Sequence, residues 1–160
     1  MPAQDARKTK PAIVVAGHTC ADVIPSFPSG ASTPGELFTP GKLQIVGPVR
    51  LTAGGAVANT GLALHRLGIP VRLVGKVGAD ALGLVIRDLF RGLYPRLAKD
   101  LRLEAGEHTS YTIVLNPPGF DRMFLHYPGT NDTFRAADVS LDRFAPGSIF
   151  HFGYPPLMRR

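Results

Sequence analysis

The chain has 160 residues, 44% of them apolar and 19% charged, which suits one domain around a single core and excludes a disordered or fibrous protein. Its net charge of +6 is compatible with an anionic small molecule such as a nucleotide. The basic residues are scattered, with Arg7, Lys8 and Lys10 in the leading tail and Arg159 and Arg160 at the close, so a nucleic-acid partner is not expected.

The opening stretch 1–10 is a polar tail without a signal-peptide core, and no apolar run is long enough to span a bilayer, so a cytoplasmic protein without a membrane partner is expected. Cys20 is the only cysteine, which excludes an internal disulfide and a multi-cysteine metal site. Ala12-Ile13-Val14-Val15-Ala16, ended by Gly17, predicts a short strand buried on both faces, as in the centre of a parallel sheet. From Pro25 to Pro48 the chain is rich in Pro, Gly and Ser and predicts loops and small strands, with Leu43-Gln44-Ile45-Val46 as one of the strands. Thr33 and Glu36 have capping-box spacing, but Pro34-Gly35 and Pro40-Gly41 predict turns there rather than a helix.

Ala56 to Leu67 predicts a helix that closes on Gly68, with Pro70 beyond. Val71 to Val77 predicts another strand. Asp80 is placed to cap a helix with Leu82, Val85, Ile86, Leu89, Phe90 and Leu93 on its inner side. Strand, excursion, helix, strand, helix is the order of a right-handed parallel α/β core. Tyr111 to Leu115 and Arg122 to Tyr127 flank Asn116-Pro117-Pro118-Gly119 and predict a β-hairpin. Ser148 to Phe152, punctuated by Gly153, predicts one more core strand. An open parallel sheet carries helices on both faces and none follows this strand, so the chain is expected to stop inside its domain.

The densest chemistry lies in Ala53-Gly54-Gly55-Ala56-Val57-Ala58-Asn59, at a strand-to-helix junction. Two glycines there let the backbone approach a ligand closely, and a helix start offers unpaired N–H groups. The same glycines also fit a tight turn packed on the sheet. Asn59, Gly68, Gly75, Gly78, Asp80 and Gly83 follow at spacings that resemble the first signature of PfkB-type carbohydrate kinases, which are ribokinase-like. Upstream, Gly17-His18-Thr19-Cys20-Ala21-Asp22 resembles that family's first-strand end with its substrate-binding aspartate, and Phe27-Pro28 and Pro34-Gly35-Glu36 are similar to ribokinase-like sequences. Downstream, Thr109 to Thr133 resembles the strands beside the lid, and His151-Phe152-Gly153 the core strand that ends near the substrate.

The resemblance implies a ribokinase-like α/β fold, a parallel sheet with flanking helices and a small β-sheet lid, truncated at its C-terminal side. Residues 11–160 would be the N-terminal, substrate-binding part of one kinase domain, with lid segments at about 27–52 and 112–127 that close over the sugar, exclude water and pair with a second subunit as a homodimer. Asp22 would accept hydrogen bonds from sugar hydroxyls at the carboxyl end of the first strand, Gly54 and Gly55 would pass beneath the sugar, and Asn59 would reach another hydroxyl. The reaction implied is transfer of the γ-phosphoryl of ATP, with magnesium, to a hydroxymethyl group of a sugar or nucleoside. Ala56 and Val57 stand where ribokinase has lysine and glycine, and Cys20 where asparagine is common, so the sugar is left unassigned.

The family's second signature, a DTxGAGD-type run carrying the catalytic base and anion hole, is absent, and no GxxxxGK[ST] loop replaces it. No catalytic residue or metal ligand is therefore assigned; the base is expected beyond Arg160, and the fragment alone is expected to be inactive. His18, His65, His108, His126 and His151 show no metal-site spacing and are expected in surface or core roles. A Rossmann dinucleotide site fits poorly, because Gly17 stands alone after the first strand. A non-catalytic sugar- or nucleoside-binding module that keeps Asp22, Gly54, Gly55 and Asn59 is the alternative to a piece of a longer kinase.

Overall fold

A computed structural model describes residues 12–28, 34–37, 39–93, 95 and 97–159. Two four-stranded sheets organise them. The first is built from β1 (Ile13–Gly17), β4 (Val71–Gly78), β5 (Leu101–Glu104) and β8 (Ile149–Gly153), all parallel, in the order β5-β4-β1-β8. The second is mixed. It joins β2 (Cys20–Pro25), β3 (Val49–Gly54), β6 (Tyr111–Leu115) and β7 (Met123–Tyr127) in the order β3-β2-β6-β7, with only β2 and β6 running parallel. The α/β fold with a parallel sheet and a small second sheet, expected from the sequence, is present.

β1 is central because its unbroken apolar run can face helices on one side and loops on the other. Val15 joins Leu73, Val77, Val57, Ile86 and Phe90 in one core cluster, which helices α2 (Gly55–Arg66) and α3 (Ala81–Leu93) cover. Val14 and Ala16 face the other way, onto Val74, Phe134 and Met158. Gly61 lets α2 settle on the sheet, since a Cβ there would run into the Leu73 side chain.

Both helices carry the punctuation their sequences announce. At the end of α2, Gly68 adopts φ +76°, its N–H reaches the His65 carbonyl at 2.9 Å, and the Ile69 N–H reaches the Leu64 carbonyl at 3.1 Å, a Schellman closure. At the start of α3, Asp80 Oδ1 accepts the Gly83 N–H at 2.9 Å.

Several expectations are corrected. Leu43 to Val46 forms no strand; it lies in irregular chain with Leu43 87% exposed, and β2 from Cys20 to Pro25 pairs instead with Gly54 to Val49. A four-residue helix, α1 (Pro34–Leu37), does form where turns were expected; proline at a first helical position gives up no hydrogen bond the helix needs. Thr33 lies outside the described residues. β5, which no pattern announced, extends the first sheet beside the end of β4. β8 joins the parallel sheet beside β1 as expected and, among the described residues, is its uncovered outer strand, with Ile149, Phe150 and Phe152 exposed. Among the described residues no helix is long and apolar enough to cross a membrane.

Candidate functional site

The two sheets meet where β1 ends. Gly17 turns the chain with φ +116°, and within three residues it leaves the first sheet and enters β2 of the second. Asp22 therefore sits in β2, on the second sheet, rather than at the tip of the first strand. Its register partners are Thr52 on β3 and Thr112 on β6, and Thr112 is paired in turn with His126 on β7. Directly opposed residues of a pleated sheet share a face, so Thr52, Asp22, Thr112 and His126 form one polar row across all four strands.

Gly54 makes room for the row. Its φ of −117° is open to any residue, but a Cβ at this position would collide with both carboxylate oxygens of Asp22. Gly55 is required on two counts: its φ is +83°, and a Cβ would strike the His18 carbonyl. That carbonyl also accepts the Val57 N–H at 3.2 Å, so the start of α2 is partly satisfied from within the fold rather than left wholly free for a ligand.

Asn59 is exposed on α2, and its side chain makes no hydrogen bond with the described residues. It nevertheless lines the same cavity of about 340 Å³ as Asp22 and Thr52, whose other walls include Arg66 and Phe90. The structure thus brings Asp22 and Asn59 to one cavity, with the Gly54-Gly55 turn packed against Asp22 and His18.

The Asp22 carboxyl is half-buried. Burial raises its pKa above the ordinary carboxylate value, and the hydrogen bond from Cys20 Sγ to Oδ1 at 3.2 Å, with His126 nearby, offsets only part of this. Oδ2 accepts no hydrogen bond from the described residues. A carboxylate removed from bulk water and given one weak thiol donor gains most from hydroxyl groups that donate to it.

His18 and His126 were expected to fill separate surface or core roles, and here they meet. Their Nε2 atoms are 3.5 Å apart, His126 Nδ1 is 2.9 Å from Thr112 Oγ1, and the edge of Tyr154 packs on the His18 ring with centroids 5.9 Å apart. Tyr154 has φ 60°, the left-handed region that ordinary residues avoid, at the end of β8. Burial, with His126 as the second cause, lowers the His18 pKa to about 4. No spacing in the sequence links the two histidines, which are 108 positions apart.

Among the described residues, no group of three or more His, Cys, Asp or Glu side chains is arranged to hold a metal ion. The Lys76 ammonium is occupied by Glu107 at 3.2 Å and the Thr133 carbonyl at 2.9 Å, which marks it as a structural tie.

Comparison with known proteins places these features in context. A model of the pfkB family carbohydrate kinases matches residues 10–157. Probable fructokinase-4 of Arabidopsis thaliana is 27% identical over 150 residues, covering 90% of this chain and 41% of that protein. Fructokinase-2 of Solanum lycopersicum is 28% identical over 145 residues, 88% of this chain and 40% of its own length. Among solved structures, a fructokinase from Xylella fastidiosa with bound ATP superposes with a TM-score of 0.64 at 23% identity, over 90% of this chain and 42% of that one. A ribokinase from Thermotoga maritima superposes with a TM-score of 0.62 at 16% identity, over 83% of this chain and 41% of that one. The chain spans about 40% of the length of the curated relatives it matches.

Proposed function

The chain belongs to the pfkB family of carbohydrate kinases, and on that premise we propose that it holds the sugar in an ATP-dependent phosphoryl transfer. Asp22 and Asn59 bind sugar hydroxyls, and Gly54 and Gly55 supply the close-packed backbone behind them. The observation that carries this reading is the half-buried Asp22 carboxyl, which shares a cavity with Asn59 and keeps Oδ2 open. A ketohexose such as D-fructose is the first substrate to try, because the curated relatives bear fructokinase names.

The sheet β3-β2-β6-β7 is the proposed lid that shuts water out of the transfer, and its exposed Val49, Phe124 and Leu125 suit a homodimer contact. ATP, the proposed donor, and magnesium are assigned no ligand here, because the described residues offer no metal cluster and the sequence has no phosphate loop. With no DTxGAGD-type run to supply a base, the chain alone binds sugar without turning over ATP.

The test is calorimetric titration of the chain with D-fructose, D-ribose and a nucleoside, alongside an ATP-turnover assay. Saturable sugar binding is expected, weakened about tenfold or more by Asp22→Ala, because a hydrogen bond to a charged group is lost. A wild-type chain that binds none of the three refutes the sugar site. Turnover of ATP by the chain refutes its lack of a catalytic base.

A further inference from the structure

We infer that His18, His126, Thr112, Cys20 and Asp22 form one hydrogen-bond chain of fixed polarity, in which Cys20 and Thr112 are positioning residues that aim the Asp22 carboxylate. The inference rests on the proposed role of Asp22 in sugar binding for its significance, while the chain itself stands on geometry.

The polarity follows link by link from the Asp22 end. An ionised carboxylate only accepts, so the Cys20 thiol donates to Oδ1 at 3.2 Å. Having one proton, that sulfur is left to accept, and the donor that faces it is Thr112 Oγ1 at 3.9 Å, a long contact suited to sulfur. With its own proton turned to Cys20, Thr112 Oγ1 accepts from His126 Nδ1 at 2.9 Å. A neutral histidine protonated at Nδ1 is an acceptor at Nε2, and His18 Nε2 lies 3.5 Å away to donate to it. His18 Nδ1 is then a bare acceptor, which agrees with its burial without a partner.

Two features keep the order from reversing. Burial, with the neighbouring carboxylate second, pushes the Cys20 thiol far above its ordinary range, so the proton it donates stays on sulfur. His18 remains neutral for the reason already given. The consequence is mechanical: one end of the chain sits at the β1–β2 junction, the middle crosses β2, β6 and β7, and the other end fixes which oxygen of Asp22 faces its own strand and which is left to a ligand. A shift of β7 that parts His126 from Thr112 or His18 loosens the aim of Asp22.

The experiment is read on the ligand-free chain. Nitrogen-15 spectra of the histidine rings are expected to show neutral His126 protonated at Nδ1 and neutral His18 protonated at Nε2, and Thr112→Val releases His126 from that form. Carbon-13 titration of the Asp22 carboxyl is the second arm, on variants that spare Thr112. Cys20→Ala removes the donor and moves the midpoint upward, whereas Cys20→Ser keeps a donor and holds it near the wild-type value. A His126 that carries its proton on Nε2 in the wild-type chain overturns the inference, as does an Asp22 midpoint unchanged by Cys20→Ala. Titration with D-fructose separates this result from the sugar-site reading: Cys20→Ala weakens binding about fivefold and Cys20→Ser restores it. The expected tautomers and midpoints in a chain that binds no sugar support the hydrogen-bond chain and sink the sugar site alone.

Discussion

The His18 ring is 3% exposed, closed in by Gly55, His126 and the edge of Tyr154. The folded chain holds it neutral down to about pH 4, whereas an unfolded chain binds a proton near the ordinary histidine value of 6.5. Between those two values the unfolded state takes up more protons. The stabilisation from a neutral His18 is therefore complete above the unfolded value and is lost as pH falls through the window, by up to about 3 kcal/mol. Urea-unfolding free energies are expected to drop more steeply between pH 7 and 4.5 in the wild-type chain than in His18→Asn, and parallel slopes would remove His18 as the cause. Asp22 acts with the opposite sign in the carboxylate range, because its pKa is raised and its contribution is lost as pH rises through that midpoint. At this scale, the candidate residues Asp22, Gly54, Gly55 and Asn59 are singled out by contiguous motifs, whereas nothing near His18 in the sequence announces His126.

Asp80 shows how one side chain can secure an element. Its Oδ1 caps α3 through Gly83 and also accepts the Thr109 hydroxyl at 2.5 Å, while Oδ2 accepts the Thr109 N–H at 2.8 Å. Thr109 Oγ1 in turn stands 2.9 Å from the Gly78 N–H at the end of β4, so the strand, the helix and the chain entering β6 share one knot. Asp80→Ala removes a cap and strands two buried donors, and a loss of about 2–4 kcal/mol in urea unfolding is expected. A loss below about 1 kcal/mol would mean that water replaces the carboxylate freely. The cap was readable because it lies beside the helix it serves, and the Schellman closure at Gly68 was readable for the same reason. β5 was not: four residues carry too little periodicity to identify a strand, and it exists because β4 offers Gly75 to Gly78 as a partner. Leu43 to Val46 is the converse case, a short apolar run that pairs with no strand and lies exposed instead.

At the scale of the whole molecule, the described residues leave one flank of the parallel sheet uncovered. Phe150, 48% exposed, lines a cavity of about 590 Å³ with Phe152, Phe134, Val139 and Leu141 along the edge strand β8. An apolar edge is a template for self-association. Self-association through this edge, besides the proposed contact on the second sheet, is expected in sedimentation or light scattering, and Phe150→Lys is expected to lower it. It should leave D-fructose affinity unchanged, since the cavity of Asp22 and Asn59 shares none of these residues. Undiminished association would instead direct attention to Phe124 and Leu125 on the second sheet.

The sequence by itself determined the parallel α/β core, both long helices with their ends, the hairpin of β6 and β7, and the resemblance of two separate stretches, one ending at Asp22 and one running from Gly54 to Asn59, to pfkB-type kinases. Each of these is written in neighbouring residues, as a period, a cap or a run of spaced glycines. Only the tertiary structure decided that Asp22 belongs to the second sheet, that β8 is an edge, and that Thr52, Asp22, Thr112 and His126 align in one row. Alternation along a strand says which of its own residues share a face. Which strand lies alongside, and in what register, is settled by packing between segments far apart in the chain.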